Sequence, residues 1–217
     1  MRSLIAIRRT ALVRPMLKSL YLASQSPRRL ELLRQIGLAP AVLLLRNGSG
    51  RVDVDETPLP EEPAVDYVLR LARRKAEAGE AARHGRSLAD WPIVAADTTV
   101  TLDGRILGKP ADAAEAAAML RAYSGRAHSV LTGVAVVFRG HMAVALSESA
   151  VTFRALSDAE IAAYVASGEP FDKAGGYGIQ GRAAVFIEHL SGSYSGVMGL
   201  PLFETAELLR EVGFSTL

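Results

Sequence analysis

The chain has no cysteine among its 217 residues, which excludes disulfides, thiol nucleophiles and thiolate metal sites. Its four histidines are widely spaced, and no two stand at the i, i+4 spacing of a helical zinc site. A zinc enzyme is therefore not favoured, although histidines distant in sequence can still meet in space. No apolar run approaches the roughly 18–20 residues of a membrane span, so we expect no membrane partner and a cytoplasmic protein.

Aromatic residues are also scarce, at 6% of the chain. The formal net charge of +2 arises from residues 1–15, which contain four arginines and no acid, and without them it is −2. Nucleic-acid binding favours a basic face with interleaved aromatics, so we expect no nucleic-acid partner. We expect residues 1–15 to be a disordered leader, similar to a transit peptide, or the product of a start codon assigned too early. Residues 16–217 are predicted to form one domain.

Two common catalytic signatures are absent. The chain has no G-x-x-x-x-G-K-[ST] motif, so a P-loop ATPase or kinase is not supported. It has no G-x-S-x-G nucleophile elbow, so an esterase is not supported either.

Strand and helix patterns are mixed along the chain, which predicts the α/β class. Serine or aspartate caps followed by helical periodicity mark three helix starts, at Ser26, Asp112 and Ser157. The predicted helices are 27–36, 63–84, 113–123, 158–168 and 201–212. The predicted strands are 19–23, a buried strand at 39–45, 93–96 with an extended continuation to 102, 128–139, 142–154 and 184–188. The segments 46–63 and 169–182 are predicted loops.

The segment from Ser24 to Arg29 has the features of an anion site. A strand ends, a loop with Ser24 and Ser26 turns, and a helix begins with Arg28 and Arg29 in its first turn. Helix N-termini bind anions through free backbone N–H groups, and guanidinium groups bind phosphate oxygens in pairs. The alternative is a solvated arginine pair after an ordinary serine cap.

Acidic residues offer candidates for acid–base chemistry and metal binding. Asp97 follows an apolar strand, and α/β proteins place sites at the carboxyl ends of strands. Its carboxylate could bind a divalent cation or activate a water, or it could simply cap a turn. The acidic run from Asp53 to Glu56 could supply further metal ligands, or it could be a solvated turn.

Three lysines and a glycine-rich segment complete the candidates. Lys75, Lys109 and Lys173 could join the arginines around a triphosphate, although each alone is typical of a solvated surface lysine. The run 175–181 contains four glycines, which let a backbone approach a ligand closely, and Gln180, whose amide can pair with a base edge. The alternative for this run is a flexible surface loop.

Taken in order from about residue 19 to 209, these segments resemble the Maf family of nucleotide pyrophosphatases. The resemblance rests on Leu22-Ala23-Ser24-Gln25-Ser26-Pro27-Arg28-Arg29, Ala96-Asp97-Thr98, Gly108-Lys109-Pro110, Ser124-Gly125-Arg126-Ala127-His128, Asp172-Lys173-Ala174-Gly175, Tyr177-Gly178-Ile179-Gln180-Gly181 and Val197-Met198-Gly199-Leu200-Pro201. Each motif is weak alone, and the ordered set is specific.

The resemblance implies an α/β fold of two lobes around a central cleft, related to the inosine triphosphate pyrophosphatases and often a homodimer. It implies that Asp97 is the proton acceptor and that Arg28, Thr98 and Gln180 determine substrate choice. The motifs are similar to those of the branch acting on dTTP and UTP, and they lack the Ser-Pro-Trp-Arg-Arg and Ser-Asp-Gln of the 7-methyl-GTP branch. Gly176 departs from the family, in which alanine is common at that position.

The resulting hypothesis is hydrolysis of a nucleoside triphosphate to the monophosphate and pyrophosphate. Asp97 and Glu56 would hold Mg²⁺ or Mn²⁺. The substrate contacts would come from Ser24, Ser26, Arg28, Arg29, Lys75, Thr98, Lys109, Lys173 and Gln180. The alternative is a non-catalytic nucleotide-binding regulator of septum formation, which would bind nucleotide without turnover.

Overall fold

A computed structural model describes residues 18–45 and 54–216. The predicted leader, residues 1–15, and Asp53 of the acidic run lie outside these residues. The strands are β1 (Lys18–Leu22), β2 (Leu38–Val42), β3 (Ile93–Leu102), β4 (Arg105–Leu107), β5 (Ala127–Phe138), β6 (His141–Phe153) and β7 (Ile187–Ser191). The helices are α1 (Pro27–Gln35), α2 (Ala64–Gly85), α3 (Ala113–Tyr123), α4 (Asp158–Ala166), α5 (Tyr194–Met198) and α6 (Leu202–Glu211).

The seven strands form one mixed sheet with the order β2-β1-β3-β5-β6-β7, and β4 pairs with β3 outside this path. β1 is parallel to β2 and β3, whereas the remaining pairs are antiparallel. The predicted α/β class is therefore confirmed. No helix in the described part of the chain is long and apolar enough to cross a membrane.

Two lobes follow from the length of β3, β5 and β6. The first half of β3 and the second half of β5 lie in a core with β1, which α1 and α6 cover on one face and α2 on the other. The second half of β3 and the first half of β5 pack with β6, α3 and α4 in a separate core. Long strands thus run through both lobes, and the junction lies near the middle of β3.

The helix starts confirm the capping signals. The side chains of Ser26, Asp112 and Ser157 each accept a hydrogen bond from the backbone N–H of the residue three positions later. In α4 the Glu160 carboxylate also accepts from the Ser157 backbone N–H, which completes a capping box. A side-chain acceptor satisfies an otherwise free helical N–H, so these residues fix where the helices begin.

Three predictions about strands need correction. The strand predicted over 39–45 ends at Val42 and is the edge strand of the sheet rather than a buried one. Pro40, which has no backbone N–H to donate, is tolerated at such an edge. The strand predicted over 184–188 is wrong for most of its length, because Arg182–Phe186 is a 3₁₀ helix and β7 begins at Ile187. Asp97 does not follow its strand, because β3 continues through it to Leu102.

Candidate active site

A break on one side of β3 creates the site. β5 pairs with β3 continuously from Ile93 to Thr101 on one side. On the other side, β1 pairs at Ile93 and Val94, and β4 pairs only from Val100 onward. Among the described residues, no strand covers this side between Val94 and Val100. Asp97 lies in the middle of the break, beyond the carboxyl end of β1, so it still occupies the kind of position that serves ligands in α/β proteins.

Two loops reach the break from opposite ends. The chain leaving β1 enters the segment from Ser24 to Arg29 beside the early part of the break. The chain leaving β4 at Leu107, which pairs with Val100, enters Gly108 and Lys109 beside its far end. The strand order alone therefore brings to one place two segments whose nearest ends, Arg29 and Gly108, are 79 positions apart in the sequence.

A cavity of about 1100 Å³ opens over this break. Its lining includes every predicted site residue: Ser24, Ser26, Arg28, Arg29, Glu56, Lys75, Asp97, Thr98, Lys109, Lys173 and Gln180. The structure thus brings together residues from six separate segments of the chain. A cavity of this size suits a ligand of nucleotide dimensions, because small-molecule sites commonly measure about 300–1,000 Å³.

Asp97 forms an ion pair with Lys75 at the floor of the cavity. Lys75 Nζ lies 2.7 Å from Asp97 Oδ1 and 2.7 Å from Glu56 Oε1, so one ammonium group joins two carboxylates. Asp97 and Lys75 are largely buried, whereas Glu56 is exposed. Side chains alternate between the faces of a strand, so Asp97 shares with Ile93 and Ala95 the face that packs against α2.

Close packing of α2 on the sheet positions Lys75. A Cβ added to Gly133, which pairs with Asp97, would lie 2.5 Å from the Val68 carbonyl oxygen of α2. A Cβ added to Gly79 would lie 2.9 Å from Ile93 Cγ2. Lys75 lies between Val68 and Gly79 on the helix. The two glycines therefore allow the helix to approach the sheet on both sides of this lysine.

The loop containing Glu56 is anchored to α2. The Tyr67 hydroxyl donates to the Glu56 carbonyl oxygen at 3.0 Å, and Arg70 Nη2 donates to the Thr57 carbonyl oxygen at 3.2 Å. Arg70 also forms a paired interaction with the Glu62 carboxylate. Burial, together with the nearby charges of Asp97 and Glu56, raises the pKa of Tyr67 to about 12, so its hydroxyl remains a donor at neutral pH.

The donor set suits a divalent cation bound together with substrate. Glu56 and Asp97 meet at a single cationic atom, Lys75 Nζ, and therefore share one cation position. Mg²⁺ is usually held by one or two carboxylates plus substrate phosphates and waters. In residues 18–45 and 54–216, no group of three or more His, Cys, Asp or Glu side chains is placed to hold a metal ion.

Three further cationic side chains line the cavity: Arg28, Lys109 and Lys173. Arg28 Nη1 lies 3.3 Å from Asp172 Oδ2, and Lys173 Nζ lies 2.6 Å from Asp172 Oδ1. Partial burial raises the pKa of Asp172, but the hydrogen bond and charge of Lys173 and the charge of Arg28 outweigh it, and the net pKa lies below its ordinary value. Lys109 is exposed at the end of the break. These cations could surround a polyanion if Asp172 released Arg28 and Lys173.

Arg29 is used differently from Arg28. Its Nε donates to the Gly199 carbonyl oxygen at 2.7 Å, Nη1 to Ser24 Oγ at 3.2 Å and Nη2 to Thr98 Oγ1 at 3.2 Å. Burial lowers the pKa of Arg29, opposed by the charge of Asp97, yet an arginine remains protonated. All three nitrogen atoms contact the protein, so the guanidinium fixes the loops around the cavity.

The Thr98 hydroxyl is also committed to internal contacts. Thr132 Oγ1 donates its hydrogen to the Gly196 carbonyl oxygen at 2.8 Å, and it lies 3.0 Å from Thr98 Oγ1. A threonine hydroxyl has one hydrogen, so Thr98 must donate to Thr132. Thr98 in turn accepts from Arg29, which gives a continuous chain of hydrogen bonds across the sheet.

Gln180 lies in an irregular segment that folds back on itself. A Cβ on Gly178 would lie 2.8 Å from Lys173 Cε and 3.4 Å from Gln180 Oε1. The absence of a side chain at Gly178 therefore leaves room for Lys173 beside it. Gln180 itself is exposed at the cavity wall, where its amide is accessible to a ligand.

Sequence inspection missed Tyr67, Arg70, Thr132 and Asp172 as contributors to the site. Tyr67 could have been found, because it stands about two helical turns before Lys75 and therefore shares its face of α2. Asp172 directly precedes Lys173 in the sequence, and this adjacency is the signal that could have indicated an ion pair. Thr132 gave no local signal, because its importance depends on the register between β3 and β5.

Comparison with known proteins decides the family. The model of the family described as Maf-like protein matches residues 19–212. The chain belongs to the Maf family. The chain is 54% identical over 205 residues to a Maf relative from Nitrosomonas europaea named dTTP/UTP pyrophosphatase, covering 94% of this chain and 99% of the relative. It is 56% identical over 200 residues to a relative of the same name from Dechloromonas aromatica. That alignment covers 91% of this chain and 99% of the relative.

Membership of the Maf family agrees with the resemblance found in the motifs. The match begins within β1 and ends just after α6, so it includes every segment that lines the cavity.

Proposed function

We propose that the chain hydrolyses dTTP and UTP to the nucleoside monophosphate and pyrophosphate. The observation that supports this most directly is that Asp97 and Glu56 line one cavity together with Arg28, Lys109 and Lys173. The names of the Maf relatives support the same substrates. Six α-helices and one mixed sheet form the scaffold within residues 18–45 and 54–216, and we propose that residues 16–217 act as one pyrophosphatase domain.

The triphosphate would lie across the break in β3. Arg28 and Lys173 would exchange the Asp172 carboxylate for phosphate oxygens, and Lys109 would approach from the loop after β4. The exchange is inexpensive, because ion pairs with an exposed partner such as Asp172 contribute little free energy. Arg29 is proposed to position the loop rather than to bind phosphate, because its nitrogens already contact the protein.

Asp97 is proposed to accept the proton of the attacking water. Asp97 lines the cavity, and before a ligand binds its Oδ1 accepts a hydrogen bond from Lys75 Nζ at 2.7 Å. As the water oxygen bonds to the α-phosphorus, the bond to the bridging oxygen breaks and pyrophosphate leaves with the electron pair. Such chemistry depends mainly on positioning and on compensating the developing charge.

Glu56 and Asp97 are proposed to hold Mg²⁺ or Mn²⁺ with the substrate phosphates. The ion would stabilise the charge that develops on the phosphate oxygens. Lys75 currently occupies the position between the two carboxylates, and its ammonium would move toward the phosphates when the ion binds.

Gln180 is proposed to select the pyrimidine, because its amide is exposed at the cavity wall and can both donate and accept. Thr98 is proposed to influence selection only through its contact with Arg29. If Gln180→Ala leaves the relative rates on UTP and GTP unchanged, this assignment is wrong.

The cellular setting follows from the proposed substrate. Nucleoside triphosphates are cytoplasmic metabolites, so we propose a cytoplasmic enzyme that acts without a nucleic-acid or membrane partner. A homodimer is a prediction from the family resemblance, and light scattering would test it.

The deciding experiment measures pyrophosphate release from dTTP, UTP, CTP, GTP and 7-methyl-GTP with Mg²⁺ or Mn²⁺, and again with EDTA. Metal-dependent release that is fastest with dTTP and UTP supports the proposal. A preference for a purine would keep the reaction and overturn the proposed specificity. Nucleotide binding without release would instead support the regulator of septum formation.

A further inference from the structure

A buried hydrogen bond connects the sheet with the irregular segment of the cavity wall. His128 Nε2 lies 2.7 Å from the Tyr177 hydroxyl, and both side chains are buried. His128 is in β5 and pairs with Val151 of β6, so its backbone belongs to the central sheet. Tyr177 stands in the irregular segment from Lys173 to Gly181.

Aromatic rings enclose this pair on several sides. The His128 ring centroid lies 4.3 Å from that of Tyr123 and 5.2 Å from that of Phe153, and the Tyr177 centroid lies 4.9 Å from that of Phe153. Polar side chains are costly in such surroundings, and a buried hydrogen bond is stronger there than in water. Two phenylalanines would pack in the same space without that cost, so packing alone does not explain the polar pair.

The segment tied by this bond contains two proposed substrate contacts. Lys173 precedes Tyr177 by four residues, and Gln180 follows it by three. The segment has no ladder of strand hydrogen bonds and consists of a 3₁₀ turn at Ala174–Gly176 followed by turns. Gly175 N donates to the Gly108 carbonyl oxygen at 2.9 Å, which joins the segment to the Lys109 loop rather than to the central strands.

We propose that His128 and Tyr177 are positioning residues, whose hydrogen bond fixes the segment containing Lys173 and Gln180 and thereby sets substrate affinity and base preference. The inference rests on the proposed function. It assigns a role to the histidine of the Ser124–His128 motif, which the proposed reaction does not use. Asp97 and Lys75 lie on β3 and α2, outside this segment, so the chemical step is not expected to depend on the bond.

The cluster itself offers a matched control. The Tyr123 hydroxyl is fully buried and has no hydrogen-bond partner within the described residues, whereas the Tyr177 hydroxyl bonds His128. Tyr177→Phe and Tyr123→Phe are therefore the same chemical change in the same core. Only the first removes the hydrogen bond between the sheet and the segment.

For Tyr177→Phe we expect the KM for UTP to rise about five- to tenfold, as the loss of one buried hydrogen bond predicts. We expect the preference for UTP over CTP to fall and kcat to change less than threefold. For Tyr123→Phe we expect the KM, the preference for UTP over CTP and the kcat of the wild type. An unchanged KM and an unchanged preference in folded Tyr177→Phe would overturn the proposal.

The double variant His128→Phe/Tyr177→Phe separates positioning from stability. Replacing both partners by apolar groups of similar shape restores much of the stability lost when one partner is removed. We therefore expect a melting temperature closer to the wild type than that of His128→Phe, combined with a KM that stays raised. Recovery of the wild-type KM together with stability would show that the pair only supports the core.

Hydrogen exchange of the intact protein supplies a readout that does not need turnover. Amides in residues 174–181 should exchange faster in Tyr177→Phe than in Tyr123→Phe, while those of β3 and α2 stay unchanged. If the wild type released no pyrophosphate from any nucleotide, the proposed function would fail, yet this exchange would still decide whether the bond holds the segment. Equal exchange in the two variants would overturn the positioning role.

Discussion

Lys75 Nζ lies 2.7 Å from Asp97 Oδ1, so a helix and a strand each supply one member of the central ion pair. The pair is largely buried and therefore weakly screened by salt. Its geometry depends on how closely α2 packs against β3 and β5. The most informative substitutions are those that change the charge of the pair or the packing beneath it.

Asp97→Asn should lower kcat by roughly 10²–10⁴-fold, the range expected when a general base is lost. The amide keeps the size of the side chain but cannot take a proton from water. Pyrophosphate release at saturating UTP is the measurement. Asp103→Asn is the control, because Asp103 lies in the exposed turn before β4 with φ of 52°, a conformation that asparagine also accepts. Near-normal kcat for Asp97→Asn would remove the residue from the base role.

Glu56→Gln should raise the Mn²⁺ concentration needed for half-maximal rate by about tenfold or more, because one of two carboxylates at the proposed cation position becomes neutral. Initial rates over a Mn²⁺ titration give this value. The neighbouring Asp55→Asn is the control. In the wild type, Asp55 Oδ1 accepts a hydrogen bond from Thr57 N at 2.9 Å, and the asparagine Oδ1 can still accept it. A metal dependence equal to that of the control would exclude Glu56 as a ligand.

Gly133→Ala should lower both stability and kcat. Its new Cβ would meet the backbone of Val68 at 2.5 Å, so α2 must move away from the sheet and carry Lys75 with it. Overpacking of this kind costs about 1–3 kcal/mol. Urea unfolding and pyrophosphate release would be measured in parallel. Gly85→Ala on the same helix meets no atom within 4 Å and should leave both quantities close to wild type. A wild-type kcat in Gly133→Ala would contradict the packing argument.

Stability should fall as the pH decreases from about 6.5 to about 4, because burial lowers the pKa of His128 from 6.5 to about 4. In this range the unfolded chain binds a proton that the folded chain does not, which favours unfolding. Over the whole range, the free energy of unfolding should fall by about 3 kcal/mol. The pKa values of Glu62 and Glu160 are lowered to about 2, so these groups affect stability only below about pH 4.5. Their pH range therefore hardly overlaps that of His128.

Urea unfolding at pH 7, 6, 5 and 4.5 would measure this dependence. The double variant His128→Phe/Tyr177→Phe lacks the titrating group and should lose most of the slope. If both proteins lost stability equally over this range, another group would be responsible.

Local signals in the sequence predicted the helices well and the strands less evenly. Ser26, Asp112 and Ser157 marked their helix starts because a cap is decided by a few adjacent residues. The segment 184–188 begins with four apolar residues, two of them β-branched, yet Arg182–Phe186 forms a 3₁₀ helix. Its backbone is directed by tertiary contacts: Phe186 packs in the second core, and its carbonyl oxygen accepts from Arg154 N.

The residues that line the cavity were predictable as a set of candidates but not as an arrangement. The ordered motifs contain Asp97, Lys109 and Gln180, whereas the position of Asp97 within β3 depends on where two other strands stop pairing. The contacts of Arg29 and Thr98 likewise depend on partners more than thirty residues away. Sequence spacing contains no information about which hydroxyl donates to which, so these roles required the structure.

The uninterrupted passage of β3 and β5 through both lobes has an evolutionary consequence. Asp97 and Lys75 lie on the rigid sheet and the helix packed against it, whereas Lys173 and Gln180 lie in a segment outside the strands. Substitutions in that segment can change which nucleotide is accepted while the groups proposed to cleave it keep their geometry. Such a fold can diversify its substrates through one segment outside the strands and inherit its reaction unchanged.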